Sequence, residues 1–128
     1  MPDHELALLI QAADRAITAE DFDSLMDFYT EDATLVVKPG VYASGKEQIR
    51  NAFVAIAEHF KNKLTVRQGR MEVIETDDTA LVIMETFLDV EEQEKPIARR
   101  ATYVFRRSDD GGWLCAIDNS YGTSILDE

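Results

Sequence analysis

The chain has 128 residues, of which 45% are hydrophobic and 30% charged, and its formal net charge is −12. That length and composition fit one folded domain spanning 1–128 with a real core, and they exclude a disordered chain. A field of this sign opposes phosphate backbones and anionic lipid, so no nucleic-acid or membrane partner is expected.

Leu6, Leu9, Ile10, Ala13, Ala16 and Ile17 recur at helical spacing and predict an amphipathic helix over about Asp3 to Ala19. The acidic residues crowded into the first third, among them Asp14, Glu20, Asp21, Asp23 and Asp27, read as a solvated, solubilising surface. Asp21 caps a second, shorter helix whose buried face is Phe22, Leu25, Met26 and Tyr29, with Thr30 to Asp32 as its end. The β-branched stretch Ala33 to Lys38 predicts a strand, Pro39-Gly40 a turn, and Val41 to Ala43 a short returning strand. Ser44-Gly45-Lys46-Glu47 has the form of a capping box, in which Ser44 accepts from a backbone N–H and Glu47 reaches back. Ile49, Phe53, Ile56 and Phe60 then stripe a third helix.

From Leu64 the period falls to about two. Gly69 marks an expected bulge in a long strand, Asp77-Asp78 a turn, and Glu91 to Lys95 and Ser108 to Gly112 two loops. Thr79 to Val90, Pro96 to Arg107 and Trp113 to Tyr121 are further strands. Helices first and strands afterwards predict an α+β protein: three N-terminal helices packed on a curved, mostly antiparallel sheet, with a cavity between the layers. In Thr79 to Val90 both faces are largely apolar, Leu81, Ile83, Glu85 and Phe87 on one and Ala80, Val82, Met84, Thr86 and Leu88 on the other. A sheet covered on one side should alternate more cleanly, so a homodimer through the outer sheet face is expected.

Gly40 to Glu47 nearly spells a phosphate-binding loop between a strand and a helix. Glu47 stands where a Ser or Thr would hold magnesium, and its carboxylate would oppose phosphate, so the capping box is the better reading. His4 and His59 lie far apart and the acidic pairs fall in turns, so neither metal nor any other cofactor is expected. No apolar run approaches the roughly 20 residues of a bilayer span. The acidic start lacks the form of a secretory signal, and the lone Cys115 suits a reducing compartment, so a cytoplasmic location is expected.

What remains is polar residues on apolar strand faces. Glu85 interrupts Leu81, Ile83 and Phe87; Arg99 shares a face with Ala101, Tyr103 and Phe105; Asn119 and Tyr121 share one with Trp113, Cys115 and Ile117. A buried charge needs a partner, which suggests a Glu85–Arg99 pair across neighbouring strands. The functional reading is a cavity with convergent polar groups. The structural reading is an ion pair at the sheet rim.

The pieces FYTEDATLVVKPG, SGKEQIRNAF and RRSDDGGWLCAIDNSYG, with the element order, resemble the nuclear transport factor 2-like, or cystatin-like cone, superfamily, and within it the SnoaL-like group. The resemblance implies a cone-shaped domain and leaves the chemistry open, because the scaffold hosts isomerases, cyclases, hydrolases and association domains. The proton-moving positions of its ketosteroid isomerases fall here on Ala13, Val37 and Ala101, none of which can carry a proton. Limonene-epoxide-hydrolase-like members pair Arg with Asp two residues on, whereas here Arg99 is followed by Ala101. A likeness to an oxidoreductase-like group linked to enediyne biosynthesis runs over Pro39 to Arg50, Trp113 and Asn119-Ser120.

These readings converge on binding of a small, largely apolar or polyketide-like molecule in the cone, with isomerase, cyclase or hydrolase chemistry. Glu85 is the expected acid or base and Arg99 its partner or an anion clamp. Tyr29, Tyr103, Asn119 and Tyr121 would orient the ligand, and Phe53 and Trp113 would form apolar walls. The alternative is a non-catalytic dimerisation or accessory module.

Overall fold

A computed structural model of the chain describes residues 4–60, 63–91 and 94–127. Helix α1 (Glu5–Ala19) and the single turn α2 (Phe22–Leu25) lead through a 3-10 turn at Met26–Phe28 into strand β1 (Tyr29–Lys38). Strand β2 (Val41–Ser44) and helix α3 (Lys46–His59) follow. Then come β3 (Leu64–Glu75), β4 (Thr79–Val90), β5 (Ile97–Arg107) and β6 (Trp113–Asn119), and a closing 3-10 turn at Gly122–Leu126. One six-stranded sheet results, in the order β2-β1-β6-β5-β4-β3. All pairs are antiparallel except β1 with β6. Helix α1 packs on β3, and α3 on β1 and β2, which is the α+β arrangement that the pattern predicts.

Three local expectations change. Helix α1 starts at Glu5, after His4, whose Nδ1 accepts from the Leu6 N–H at 3.1 Å; the expected start at Asp3 lies outside the described residues. Tyr29 opens β1 instead of closing the second helix, and Thr30 to Asp32 continue that strand. The capping box does not form. Gly45, at φ +83°, takes the cap position and donates its N–H to the Ala33 carbonyl at 2.8 Å. That left-handed residue moves the helix start on by one, so Gln48, not Glu47, reaches back to the Ser44 N–H at 2.9 Å.

The expected bulge at Gly69 is present: the β3–β4 register slips between Gln68 and Met71. A Cβ on Gly69 would stand 2.9 Å from Glu85 Oε1 and from the Phe87 ring, so glycine is what lets the outer face close there. A second bulge, which the sequence reading lacks, falls in β6. Phe105 pairs with Cys115, but Val104 pairs with Ile117, leaving Ala116 as the extra residue. Cys115 and Ala116 are accordingly buried in succession.

The core lies between the helices and the inner sheet face. Leu6, Ile10, Leu25, Tyr29, Ile49, Val82, Phe105 and Cys115 are its largest fully buried side chains. Burying each large apolar side chain contributes about 1.5–3 kcal/mol. Phe28 sits edge-on to Tyr29 (5.1 Å between centroids) and Phe105 (5.5 Å), so aromatic rings fill the centre of the cone.

Candidate functional site

Inside this apolar core lie two hydrogen-bonded polar sets, Tyr29 with Asp118 and Asp14 with Gln68 and Thr86, drawn from five elements. Strand β1 begins with Tyr29, which is buried and donates its hydroxyl proton to Asp118 Oδ2 at 2.6 Å. Asp118 points inward only because of the β6 bulge. Without the extra Ala116 the alternation from Cys115 would carry Ile117 into the core and Asp118 out of it. On α1, Asp14 follows Ile10 and Ala13 on the buried stripe and is 8% exposed. It accepts from Gln68 Nε2, and Gln68 Oε1 in turn accepts from the Thr86 hydroxyl at 3.0 Å. The register places Gln68, Thr86 and Arg99 in one row across β3, β4 and β5.

Burial governs the acidity of these groups. It pushes the Asp14 carboxyl up to about 7; the Gln68 hydrogen bond opposes this, and the nearby Asp118 charge adds to it. Asp118 is pushed up to about 6 by burial, against the hydrogen bond from Tyr29. The Tyr29 and Tyr103 hydroxyls and the Cys115 thiol are held well above their ordinary values, first by burial and then by the Asp118 charge. Two carboxyls that can carry protons near neutrality therefore share one interior, which suits acid–base work. Solvent approaches through a cleft of about 520 Å³ between α1 and β3, bordered by Gln11, Asp14, Arg15, Thr18, Arg67 and Gln68.

The structure redistributes the residues singled out in the sequence. Tyr29, Phe53, Tyr103 and Trp113 lie in the core. The space expected to hold a ligand between helices and sheet is occupied by these rings with Phe28 and Phe105. The crevice at the edge of that space, between Ile17, Phe22, Phe53 and Leu64, measures about 10 Å³, about one water probe. Glu85 faces the other way, on the outer sheet face. Its Oε1 accepts from the Arg70 N–H at 2.8 Å and pairs with Arg70 Nε at 3.3 Å. The backbone and side-chain hydrogen bonds of Arg70 hold its carboxyl below the ordinary range.

The expected Glu85–Arg99 pair is not formed, because the register sets Arg100 opposite Glu85 and Thr86 opposite Arg99. One residue of offset puts the two side chains on opposite faces. Arg99 instead lies over the Tyr121 ring, with its Cζ 4.0 Å from the centroid. Asn119 serves the backbone: Oδ1 accepts from the Tyr121 and Gly122 N–H groups, each at 3.1 Å, and Nδ2 donates to the Gly122 carbonyl at 3.1 Å.

Asp14, Gln68, Thr86 and Asp118 are the residues that sequence reasoning missed. Asp14 follows Ile10 at helical spacing, and that spacing separates it from the solvated acids with which composition groups it. Among the described residues, no group of three or more His, Cys, Asp or Glu side chains could hold a metal ion. No helix among them is long and apolar enough to cross a membrane.

Comparison with known proteins agrees with this architecture. A SnoaL-like domain family model matches residues 7–116. No curated protein sequence matches the chain. Solved structures resemble it at low identity. A cystatin-like-fold protein of unknown function from Nostoc punctiforme is 17% identical with a TM-score of 0.78, over 89% of this chain and 85% of that one. A Catenulispora acidiphila protein in complex with S-DNPA is 19% identical with a TM-score of 0.71, over 89% and 87%. A putative calcium/calmodulin-dependent protein kinase type II association domain from Thiobacillus denitrificans is 20% identical with a TM-score of 0.70, over 87% and 89%. With the cone of helices on a curved sheet and this match over most of its length, the chain belongs to the SnoaL-like domain family and has the nuclear transport factor 2-like, cystatin-like fold.

Proposed function

We propose that the protein binds a small, largely apolar molecule beside α1 and β3 and exchanges a proton with it through Asp14, as an isomerase or cyclase would. The observation that carries this reading is a buried carboxyl, pushed up to about 7, bordering an open cleft. Such a group is half-protonated near neutrality, so it can give or take a proton without a large driving-force penalty. Gln68 and Thr86 orient it, and Asp118, hydrogen-bonded by Tyr29, is a second protonatable carboxyl further inside. This assignment takes the acid–base role from Glu85, which is engaged by Arg70 on the outer face. The structurally similar Catenulispora acidiphila protein is in complex with S-DNPA, which supports ligand binding as a use open to this fold.

The test is thermal stabilisation by a panel of neutral cyclic ketones and phenols, measured at pH 6 and pH 8 on wild type, Asp14→Asn and Gln68→Leu. At least one compound should stabilise the wild type saturably and do so less at one of the two pH values. Its effect should fall in both variants. Stabilisation that is identical in all three proteins, or absent throughout, sinks the reading.

A second reading, association through the outer sheet face, is favoured by its own observation. Ile74, Leu81, Val104 and Ile117 pair in register and form one apolar row across β3, β4, β5 and β6. Ile74 and Ile117 are 57% and 45% exposed, and Ile83 beside them 40%. A homodimer would cover this row with its own symmetry-related copy. A monomer mass that stays constant up to high protein concentration refutes it, and Ile117→Lys should separate any dimer that forms.

A further inference from the structure

Arg99, on the inner sheet face, is incompletely bonded. Its Nε is buried and has no hydrogen-bond partner. Among the described residues no carboxylate lies within ion-pair distance of its guanidinium. The neighbouring carboxylate, Glu85, is engaged by Arg70. A guanidinium nitrogen withdrawn from water without an acceptor is costly. The side chain is nevertheless held in place. Tyr121 stacks on it at 4.0 Å, and the turn that carries Tyr121 is pinned to β5. Gly122, at φ +56°, approaches the Arg100 carbonyl so closely that a Cβ there would stand 2.0 Å from the oxygen. Asn119 ties the same turn to its own strand through three hydrogen bonds.

We propose that the Arg99–Tyr121 corner binds the carboxylate of a small organic acid. Arginine presents its two terminal nitrogens as a planar fork that matches a carboxylate, and the Tyr121 ring holds that fork at the cleft. Arg99, Arg100 and Tyr121 border a cleft of about 340 Å³ together with Ser124 and with Glu85, whose charge is engaged by Arg70. Two guanidinium groups and one carboxylate leave this cleft a single positive charge, which with its hydroxyls and rings suits a singly charged acid with an apolar body. The overall charge of −12 disfavours a multiply charged phosphate. The site stands independently of the Asp14 proposal, although Arg99 and Gln68 end the same cross-strand row, about 10 Å apart by strand spacing.

The experiment is calorimetric titration with benzoate, acetate and inorganic phosphate at constant ionic strength, on wild type, Arg99→Met, Arg99→Lys and Tyr121→Leu. Benzoate should bind more tightly than acetate, and phosphate least. Arg99→Met should lose about tenfold or more of the benzoate affinity. Arg99→Lys, which keeps the charge but not the fork, should lose most of the same affinity, and Tyr121→Leu a smaller part. If Arg99→Met does not fold, the lysine and Tyr121 variants decide the matter alone. Equal benzoate affinity in wild type and variants overturns the proposal, as does phosphate binding above benzoate. A change of oligomer mass in the Arg99 variants without any anion response also overturns it, since the arginine would then serve a protein carboxylate.

Discussion

Asp118 and Glu85 are both carboxylates on sheet strands, and β5 runs between their two strands. They stand on opposite faces and behave in opposite ways. Asp118 is enclosed by the core and its proton is held up to about pH 6, whereas Glu85 meets solvent and Arg70 and is held below the ordinary range. The inner face thus keeps acids protonatable by withholding water, and the outer face keeps them ionised by supplying partners. A polar residue on a strand says little about chemistry until its face is known.

The contrast between faces is largest in packing. Phe105 and Val104 are neighbours in sequence, but Phe105 is fully buried while Val104 belongs to the outer row. Phe105→Ala should cost about 3–5 kcal/mol in urea unfolding, because it opens a cavity beside Phe28 and Tyr103. Val104→Ala should cost about 1 kcal/mol or less. Equal effects would mean that the outer face is as well packed as the inner one, which a tight dimer would produce.

Next in size is the effect of Asp14. Its folded pKa, about 7, lies above the ordinary 3.8, so the native state holds a proton that the unfolded chain has released throughout that window. The stability associated with this group is complete below about pH 4 and is lost as pH rises through 7. Asp14→Asn removes that loss. Relative to wild type it should be stabilised at pH 8 by about 2–4 kcal/mol more than at pH 4. Denaturant midpoints across that range test this, and a constant difference between the two proteins would count against burial as the cause.

Much of this arrangement can be read from the chain. The apolar stripe of α1, the β-branched β1 and the bulge at Gly69 are local signals, and each fixes an element by its own periodicity. Asp118 could not be placed that way, because its direction depends on the bulge at Ala116, where two small residues sit side by side and alternation loses its phase. The Glu85–Arg99 error has the same origin, since pairing is a register property shared by two strands, which the pattern of either strand alone does not set. The filled cone was hidden for another reason. Composition counts the aromatic residues, but only their packing shows whether their volume closes the space.

A smaller effect separates the two halves of the Tyr29–Asp118 contact. Tyr29→Phe keeps the ring and removes the donor at 2.6 Å. The buried carboxylate then lacks that hydrogen bond, at a cost of about 1–3 kcal/mol near neutral pH. Asp118 should titrate above its present value of about 6, since the lost bond is the one that lowers it. Carbon-13 titration of the labelled carboxyl would show the shift, and a lowered value would disprove the assignment.

The least disturbance is expected from Glu85, which makes it the sharpest control. Glu85→Gln removes a charge that sequence reasoning places at the centre of the chemistry. In the structure that charge lies on the outer face and is spent on Arg70, a residue whose side chain is 87% exposed. A pair so open to water is screened by salt and contributes little to folding. The glutamine keeps an oxygen for the Arg70 N–H, so the β3 bulge retains its backbone hydrogen bond. The unfolding midpoint should therefore stay where it is in moderate salt, and any ligand effect found for the Asp14 cleft should survive intact. If Glu85→Gln abolished ligand binding while Asp14→Asn did not, the outer face would be the working one. The buried carboxyls would then be structural, and the comparison between the two faces would have to be reversed.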